Sequence, residues 1–457
     1  MQLCRSRVTA ILLGLGVCCA AGLAIGGEPA PGQLHVGWAT VDITPSAPVV
    51  LDGSGYKRVT NEVEDPVTAT VLALETRDGD RALDQAILIS FDLVRMTKEV
   101  QEGMERVAAE KLADFDGNKL ICGVTHSHCG PSISYALTGP GQLYDISDRT
   151  DVMTPQQYIL FLYEKVGPGI VEAWQSRKPA GVSWALGNAA VGYNRRLSYA
   201  DGSAIMGFDT ARPDFSHVEG YEDHAVEMLF FWDADQKLTG MLVNLACPSQ
   251  VGRKAISADF WHPIREGIKA KHGANIHVFG QCAAAGDQCP AVIVRRRAEK
   301  LMLERREISW KEELANRVIR AVDDVWPYAQ VDVQTQPVFA HRVLELEVPN
   351  KNSYNEARWK PSKVAFELHV LRLGDVAIAT NRFELYVDYG IRMKARSRAV
   401  QTFVVQLAGQ ASYLPTRRSI AGGAYGAIPE STLVGPEGGR DLVERTLELI
   451  ESLWAKE

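Results

Sequence analysis

The chain has 457 residues, 46% hydrophobic and 23% charged, with a formal net charge of -7. That composition suits a globular protein with a large buried core, and no internal repeat, heptad run or low-complexity tract interrupts it. The acidic balance, without a basic cluster carrying interleaved aromatics, argues against nucleic acid as a partner.

The first residues read as an export signal. Arg5 and Arg7 precede an apolar stretch from about 8 to 25, and Ala24-Ile25-Gly26 offers small residues for cleavage. Hydrophobic length alone would also allow a retained membrane anchor. Residues 1–26 are therefore expected to be a signal peptide, and the protein to be periplasmic, secreted or attached to the cell surface. Removing Arg5 and Arg7 takes the formal charge from -7 to -9. Of the eight cysteines, Cys4, Cys18 and Cys19 fall in the signal, leaving Cys122, Cys129, Cys247, Cys282 and Cys289. An odd number in an exported chain is not a disulfide scaffold and leaves at least one thiol unpaired, metal-bound or reactive.

After the signal, 34–43 reads as a strand ending in Thr44-Pro45. Further short apolar runs, mostly unbroken rather than alternating, follow at 86–91, 120–124, 241–245, 275–279, 376–379 and 402–407, as expected of strands covered on both faces. Thr154-Pro155 starts a helix carrying Ile159, Leu162 and Val166. Ser309 and Glu312 form a capping box ahead of Leu314, Val318, Val322 and Val325. Leu442, Val443, Leu447, Ile450 and Leu453 mark a last helix. The stretch 188–216, rich in Gly, Asn and Arg, reads as a long ordered loop of the kind that walls a site. The expected fold class is α/β, with mixed or parallel sheets flanked by helices on both faces. No linker divides 27–457, which reads as a single catalytic domain.

Reactive side chains collect after these strands. Leu120–Val124 runs into Thr125-His126-Ser127-His128-Cys129-Gly130-Pro131, and 241–245 into Ala246-Cys247-Pro248. The run 275–279 leads to Cys282 and Gly286-Asp287-Gln288-Cys289-Pro290; 376–379 leads to Asn381 and Glu384, and 402–407 to Tyr413. Ligands bind beyond the carboxyl ends of strands in open α/β sheets, so five strand ends could meet at one crevice. In an extended segment His126 and His128 point to the same side, where imidazoles can bind a metal or move protons. Two surface histidines on a loop are the plainer reading of that pair alone.

Taken together, these segments resemble the catalytic region of the neutral/alkaline non-lysosomal ceramidase family. The matching pieces are Gly37-Trp38-Ala39-Thr40-Val41-Asp42-Ile43-Thr44-Pro45, Gly55-Tyr56, the His126-Ser127-His128 segment and Tyr193-Asn194-Arg195. They continue through Cys247-Pro248-Ser249, Ser257-Ala258-Asp259, Gly286-Asp287-Gln288-Cys289-Pro290, Phe383-Glu384-Leu385 and Tyr413-Leu414-Pro415-Thr416.

The resemblance implies a zinc-dependent amidase acting on a small-molecule or lipid amide such as ceramide, with peripheral membrane contact as an accompanying expectation; the expected reaction is hydrolysis of an amide or ester bond by a metal-activated water. It places His126, Glu384 and Tyr413 on the metal, His128 beside it as acid–base, and Arg195 at the substrate carbonyl; Arg195 and Tyr413 together are then expected to stabilise charge on the carbonyl oxygen. Cys247 stands where the family has its second metal-binding histidine. A thiolate binds zinc well, so Cys247 is the expected fourth ligand, with His262 as the substitute if it is only a core residue. Cys289 stands where the family has a functional serine, and could act as a nucleophile, merely fill space, or pair with Cys247. Cys122 and Cys282 read as core residues or as a second pair. Asp287 either orients neighbours or only forms its turn; Asp259 reads the same way, and Asp92 is a weaker candidate. The family's C-terminal β-sandwich is not expected within these residues, which carry one further helix after the Tyr413 segment. Two competing readings are a cysteine-dependent hydrolase using Cys289, and a catalytically inactive binding or scaffold protein.

Overall fold

The structure is a computed structural model that describes residues 29–349, 363–410 and 412–454. The segment 1–26, expected to be a signal peptide, lies outside the described residues. Eight strands form one mixed sheet: β1 (Gln33–Asp42), β2 (Thr68–Asp78), β3 (Arg81–Phe91), β4 (Leu120–Val124), β5 (Lys178–Asn188), β6 (Ala225–Asp233), β7 (Leu238–Leu245) and β8 (His277–Cys282). Their order is β8-β7-β6-β5-β1-β2-β3-β4. Only the outermost pairs, β3 with β4 and β7 with β8, are parallel. A second, four-stranded sheet holds β9 (Phe339–Pro349), β10 (Lys363–Leu373), β11 (Val376–Thr380) and β12 (Gln401–Val405) in that order, with β11 and β12 parallel.

The large sheet bends at its weakest joint, where β1 and β5 share two residue pairs, His35 with Pro179 and Val36 with Lys178. Bending turns its two four-stranded halves toward each other. Trp38 of β1 then meets Phe231 of β6 edge-on at 5.5 Å, and Ser90 of β3 donates to Gly280 O of β8 at 2.5 Å. The second sheet closes the remaining side. Leu72, Leu88, Phe231, Leu242, Ile378 and Phe403, drawn from all three four-stranded faces, share one apolar core.

Each face is backed on its outside by helices. α1 (Lys98–Lys111) and α2 (Pro155–Gln175) cover β1–β4. α3 (Trp261–His272) and α5 (Trp310–Ala329) cover β5–β8, and α6 (Val387–Arg396) with α7 (Pro436–Ser452) cover the second sheet. One more helix, α4 (Arg296–Arg306), buries no residue. The alternation within strands follows: in β2, Ala69, Val71 and Ala73 face the helices, while Leu72 and Leu74 face the central core. Helices thus lie on one side of each sheet rather than both, because another sheet occupies the inner side.

Local signals act as expected at the helix starts. Thr154 and Gln157 close a reciprocal capping box ahead of α2, and Ser309 and Glu312 do so ahead of α5. The stretch 188–216 departs from a plain loop. Arg196–Tyr199 pairs with Ala204–Met206 and Phe215–Val218 in a small antiparallel sheet, clamped by the fully buried Arg196 on Glu219 at 2.8 Å. Among the described residues, no helix is long and apolar enough to cross a membrane.

Candidate active site

The site forms where the three faces meet at one end of the core. β4 delivers His126 and His128, β8 leads to Gly286 and Asp287, the turn after β5 carries Arg195, and the second sheet supplies Glu384 and Tyr413.

His126 adopts φ +60°, a left-handed conformation that is uncommon without glycine. Its neighbours impose it, since Thr125 N–H donates to Phe91 O at 2.9 Å and Ser127 N–H to Leu93 O at 3.0 Å. The His-Ser-His segment is therefore not extended, and the two rings meet by this turn instead. Their centroids lie 4.9 Å apart at 69°. His126 Nδ1–H donates to Val94 O at 2.5 Å and His128 Nδ1–H to Gly53 O at 2.7 Å. A carbonyl can only accept, so both rings carry their proton on Nδ1 and present a bare Nε2. Burial pushes both imidazoles below their ordinary pKa, His128 the further, which keeps that lone pair free at neutral pH.

The bare Nε2 of His126 lies 3.7 Å from Glu384 Oε2. Glu384 and Tyr413 are directly paired in a short parallel ladder, which sets carboxylate and phenol side by side and hydrogen-bonded. Burial, then the adjacent carboxylate, holds the Tyr413 hydroxyl well above its usual pKa. Gly286 lets this ladder approach, because a Cβ there would stand 2.4 Å from Glu384 O.

Arg195 Nη2 donates to Tyr413 Oη and to Gly286 O, each at 3.3 Å, while its Nε is buried with no partner. Asp287 fixes this arginine from behind. Its backbone carbonyl accepts Arg195 N–H at 2.9 Å, Oδ2 accepts Asn194 Nδ2 at 2.7 Å, and Oδ1 accepts Val387 N–H at the start of α6. Burial raises the Asp287 carboxyl to about 6.

Tyr425 was not singled out by its sequence. Its ring stands 5.2 Å from that of Tyr413, its hydroxyl bonds Tyr413, and its face is open to solvent at the mouth of the site. The only hint was the turn-rich Gly422-Gly423-Ala424-Tyr425-Gly426, in which Gly423, Ala424 and Gly426 all take positive φ. Asp52 and Arg95 were also missed. They pair at 2.9 Å, and Arg95 feels the charge of Glu384.

The cysteines stay outside this group. Cys247 Sγ donates to Val191 O at 3.2 Å and packs with Val191, Ala258 and Phe260 under the second face. The structure does not gather it with His126 and Glu384. His262, on the first turn of α3, makes no hydrogen bond or ion pair with them either. Cys289 packs against Leu197, Tyr199 and Ile293, and burial raises its thiol pKa although Arg195 is near. All five described cysteines are free, so neither the Cys247–Cys289 nor the Cys122–Cys282 disulfide forms. Asp92 is taken up by a bidentate pair with Arg265 at 2.6 and 2.9 Å. Asp259 accepts Gly252 N–H and Phe260 N–H, each at 2.7 Å. Both of these aspartates build local structure.

Among the described residues, no three His, Cys, Asp or Glu side chains converge as a metal-binding group. The donors that do converge are the imidazole of His126, the carboxylate of Glu384 and the phenol of Tyr413. Two donors on one tetrahedral zinc stand about 3.4 Å apart, given bonds of about 2.1 Å. The 3.7 Å between His126 and Glu384 fits that spacing. Three protein ligands with one open position is the pattern of catalytic rather than structural zinc.

The fold is that of the ceramidase catalytic region. The crystal structure of neutral ceramidase from Pseudomonas aeruginosa superposes with a TM-score of 0.66 at 16% identity, covering 93% of this chain and 76% of that one. A ceramidase complexed with C2 gives 0.64 at 14% identity, with the same two coverages. No protein-family model and no curated protein sequence matches the chain.

Proposed function

We propose that the protein is an exported, zinc-dependent amidase that hydrolyses an N-acyl lipid such as ceramide. The observation that carries this reading is the bare Nε2 of His126 turned toward Glu384, beside the unpartnered Nε of Arg195. The ceramidase-like fold supports the substrate class.

His126, Glu384 and Tyr413 would hold the ion, which when bound supplies Lewis acidity and a water of lowered pKa. His128, neutral with its lone pair on Nε2, accepts a proton from the attacking water and returns it to the leaving amine. Arg195 Nε donates to the carbonyl oxygen as negative charge develops there, and the Tyr425 hydroxyl reaches the same region from the mouth. Asp287 holds Arg195 at that place.

Use of Cys289 as nucleophile finds no support, because among the described residues no histidine bonds it, and burial favours its thiol form. The test is the zinc content of the purified protein together with turnover of N-acyl sphingosines. Near-stoichiometric zinc, with activity lost to a chelator and restored by zinc, supports the reading. Full activity in metal-free protein overturns it.

A further inference from the structure

α4 has no place in the packing scheme. It buries no residue, and it rests on the body through its partly buried Glu299 and Leu303 and through Arg306. Glu299 is held by Arg317, and Arg306 pairs with Glu313 at 2.7 Å. Its exposed surface is both apolar and cationic. Val294, Leu301 and Met302 are 68%, 52% and 48% exposed. Arg297, Leu301 and Arg305 follow one another at the i, i+4 spacing of a single helix face. Arg295, Arg297 and Arg305 make no ion pair among the described residues, whereas Lys300 is met by Glu304 at 3.7 Å. A free cationic fringe around exposed aliphatic side chains stands out on a chain of net charge -7.

This helix is also linked to the segment that carries Arg195. Arg296 donates to Phe208 O at 2.7 Å and lies 5.8 Å from its ring, and Phe208 is itself exposed. The neighbouring Gly207 N–H donates to Arg195 O at 2.9 Å. One short path therefore joins the helix to the arginine of the site.

We infer that α4 and Phe208 form a docking face for an anionic phospholipid surface, set beside the mouth of the active site. Cations at the fringe pair with lipid phosphates while Val294, Leu301 and Met302 enter the headgroup–acyl boundary, as amphipathic helices lying in a membrane interface do. The inference rests on the lipid-amidase reading for its purpose, but not for its test.

The experiment is flotation of the purified protein with phosphatidylcholine vesicles, with and without phosphatidylglycerol. Three proteins are compared: wild type, Arg295→Gln/Arg297→Gln/Arg305→Gln, and Leu301→Ser/Met302→Ser. Binding to phosphatidylglycerol vesicles that weakens with salt is expected. Each lost cation should cost roughly fivefold, so the triple variant should partition roughly a hundredfold less. The paired Leu/Met variant should also bind weakly. Both variants should keep wild-type turnover of a water-soluble short-chain N-acyl substrate and lose turnover of the same headgroup embedded in vesicles. Equal binding to neutral vesicles, an unchanged triple variant, or binding to heparin or single-stranded DNA but not to vesicles would overturn the docking face. If wild type binds vesicles yet cleaves neither substrate, the amidase reading fails and the docking face stands.

Discussion

Gly53 and His128 are in contact in a way that admits no side chain at position 53. Gly53 O accepts the His128 Nδ1 proton at 2.7 Å, and a Cβ on Gly53 would stand 2.4 Å from that same nitrogen. Its φ of +86° adds a second reason for glycine. Gly53→Ala should therefore push the ring aside and cost roughly 1 kcal/mol or more in backbone strain. The expected result is a lower Tm and a kcat reduced at least tenfold with zinc retained; wild-type kcat would remove His128 from proton transfer.

His126→Ala and Glu384→Ala should each release the ion. Elemental analysis after dialysis is expected to show zinc falling from near one per chain to a small fraction, with the chelator-sensitive part of Tm lost too. Stoichiometric zinc in His126→Ala would show that the metal is bound elsewhere.

Cys247→Ala separates a ligand from a core residue. With Sγ bonded to Val191 O inside an apolar cluster, the change should leave zinc content unaltered. Stability should fall by about 1–2 kcal/mol, through the lost contacts of a small buried side chain. Metal loss without a change in Tm would restore the thiolate to the site.

Arg195→Lys keeps a positive charge but not the fork whose buried Nε is left without a partner. Its kcat should drop by roughly a hundredfold to a thousandfold, with KM changed much less. A change confined to KM would make Arg195 a binding group and nothing more.

Asp287 gives stability a pH signature. Burial raises its folded-state pKa from 3.8 to about 6, so the folded chain holds this proton more tightly than the unfolded chain does. Its contribution is then most favourable below about pH 4 and is lost as pH rises through 6, over a range of about 3 kcal/mol. Asp287→Asn should flatten that part of the profile in denaturant titrations at pH 4, 5, 6 and 7. An unchanged slope would mean that the carboxyl is ionised in the fold throughout.

Uninterrupted apolar runs translated well into structure. The run 120–124 is β4 to the residue, and 376–379 falls inside β11. Elements that carry charge inward were not legible. β2 hides Glu75 against Arg177 at 3.2 Å, and β6 hides Glu227 against Lys394 at 3.0 Å, a residue far along the chain on α6. α1 buries only Val100, Gly103, Met104 and Ala108, too thin a stripe to stand out. The second sheet on the inner side of the first could not be read from periodicity, because a strand looks alike under a helix or under another strand.

At the site, the proximity of the two histidines, Glu384, Tyr413 and Arg195 agrees with the grouping that the family resemblance implies. The place of Cys247 was not, since its partner Val191 belongs to a stretch with weak periodicity. Tyr425 escaped because a glycine-flanked tyrosine in a turn resembles any surface loop until the fold brings it against Tyr413.

The centre draws on all three faces of the barrel-like core, and no face owns more than part of it. His126 follows the edge strand of one, Asp287 and its hold on Arg195 follow the edge strand of another, and Glu384 with Tyr413 come from the third. A chain whose last sheet has not yet docked therefore has the two histidines in place without the carboxylate and phenol that complete the cluster, so the centre comes into being only with the final packing step.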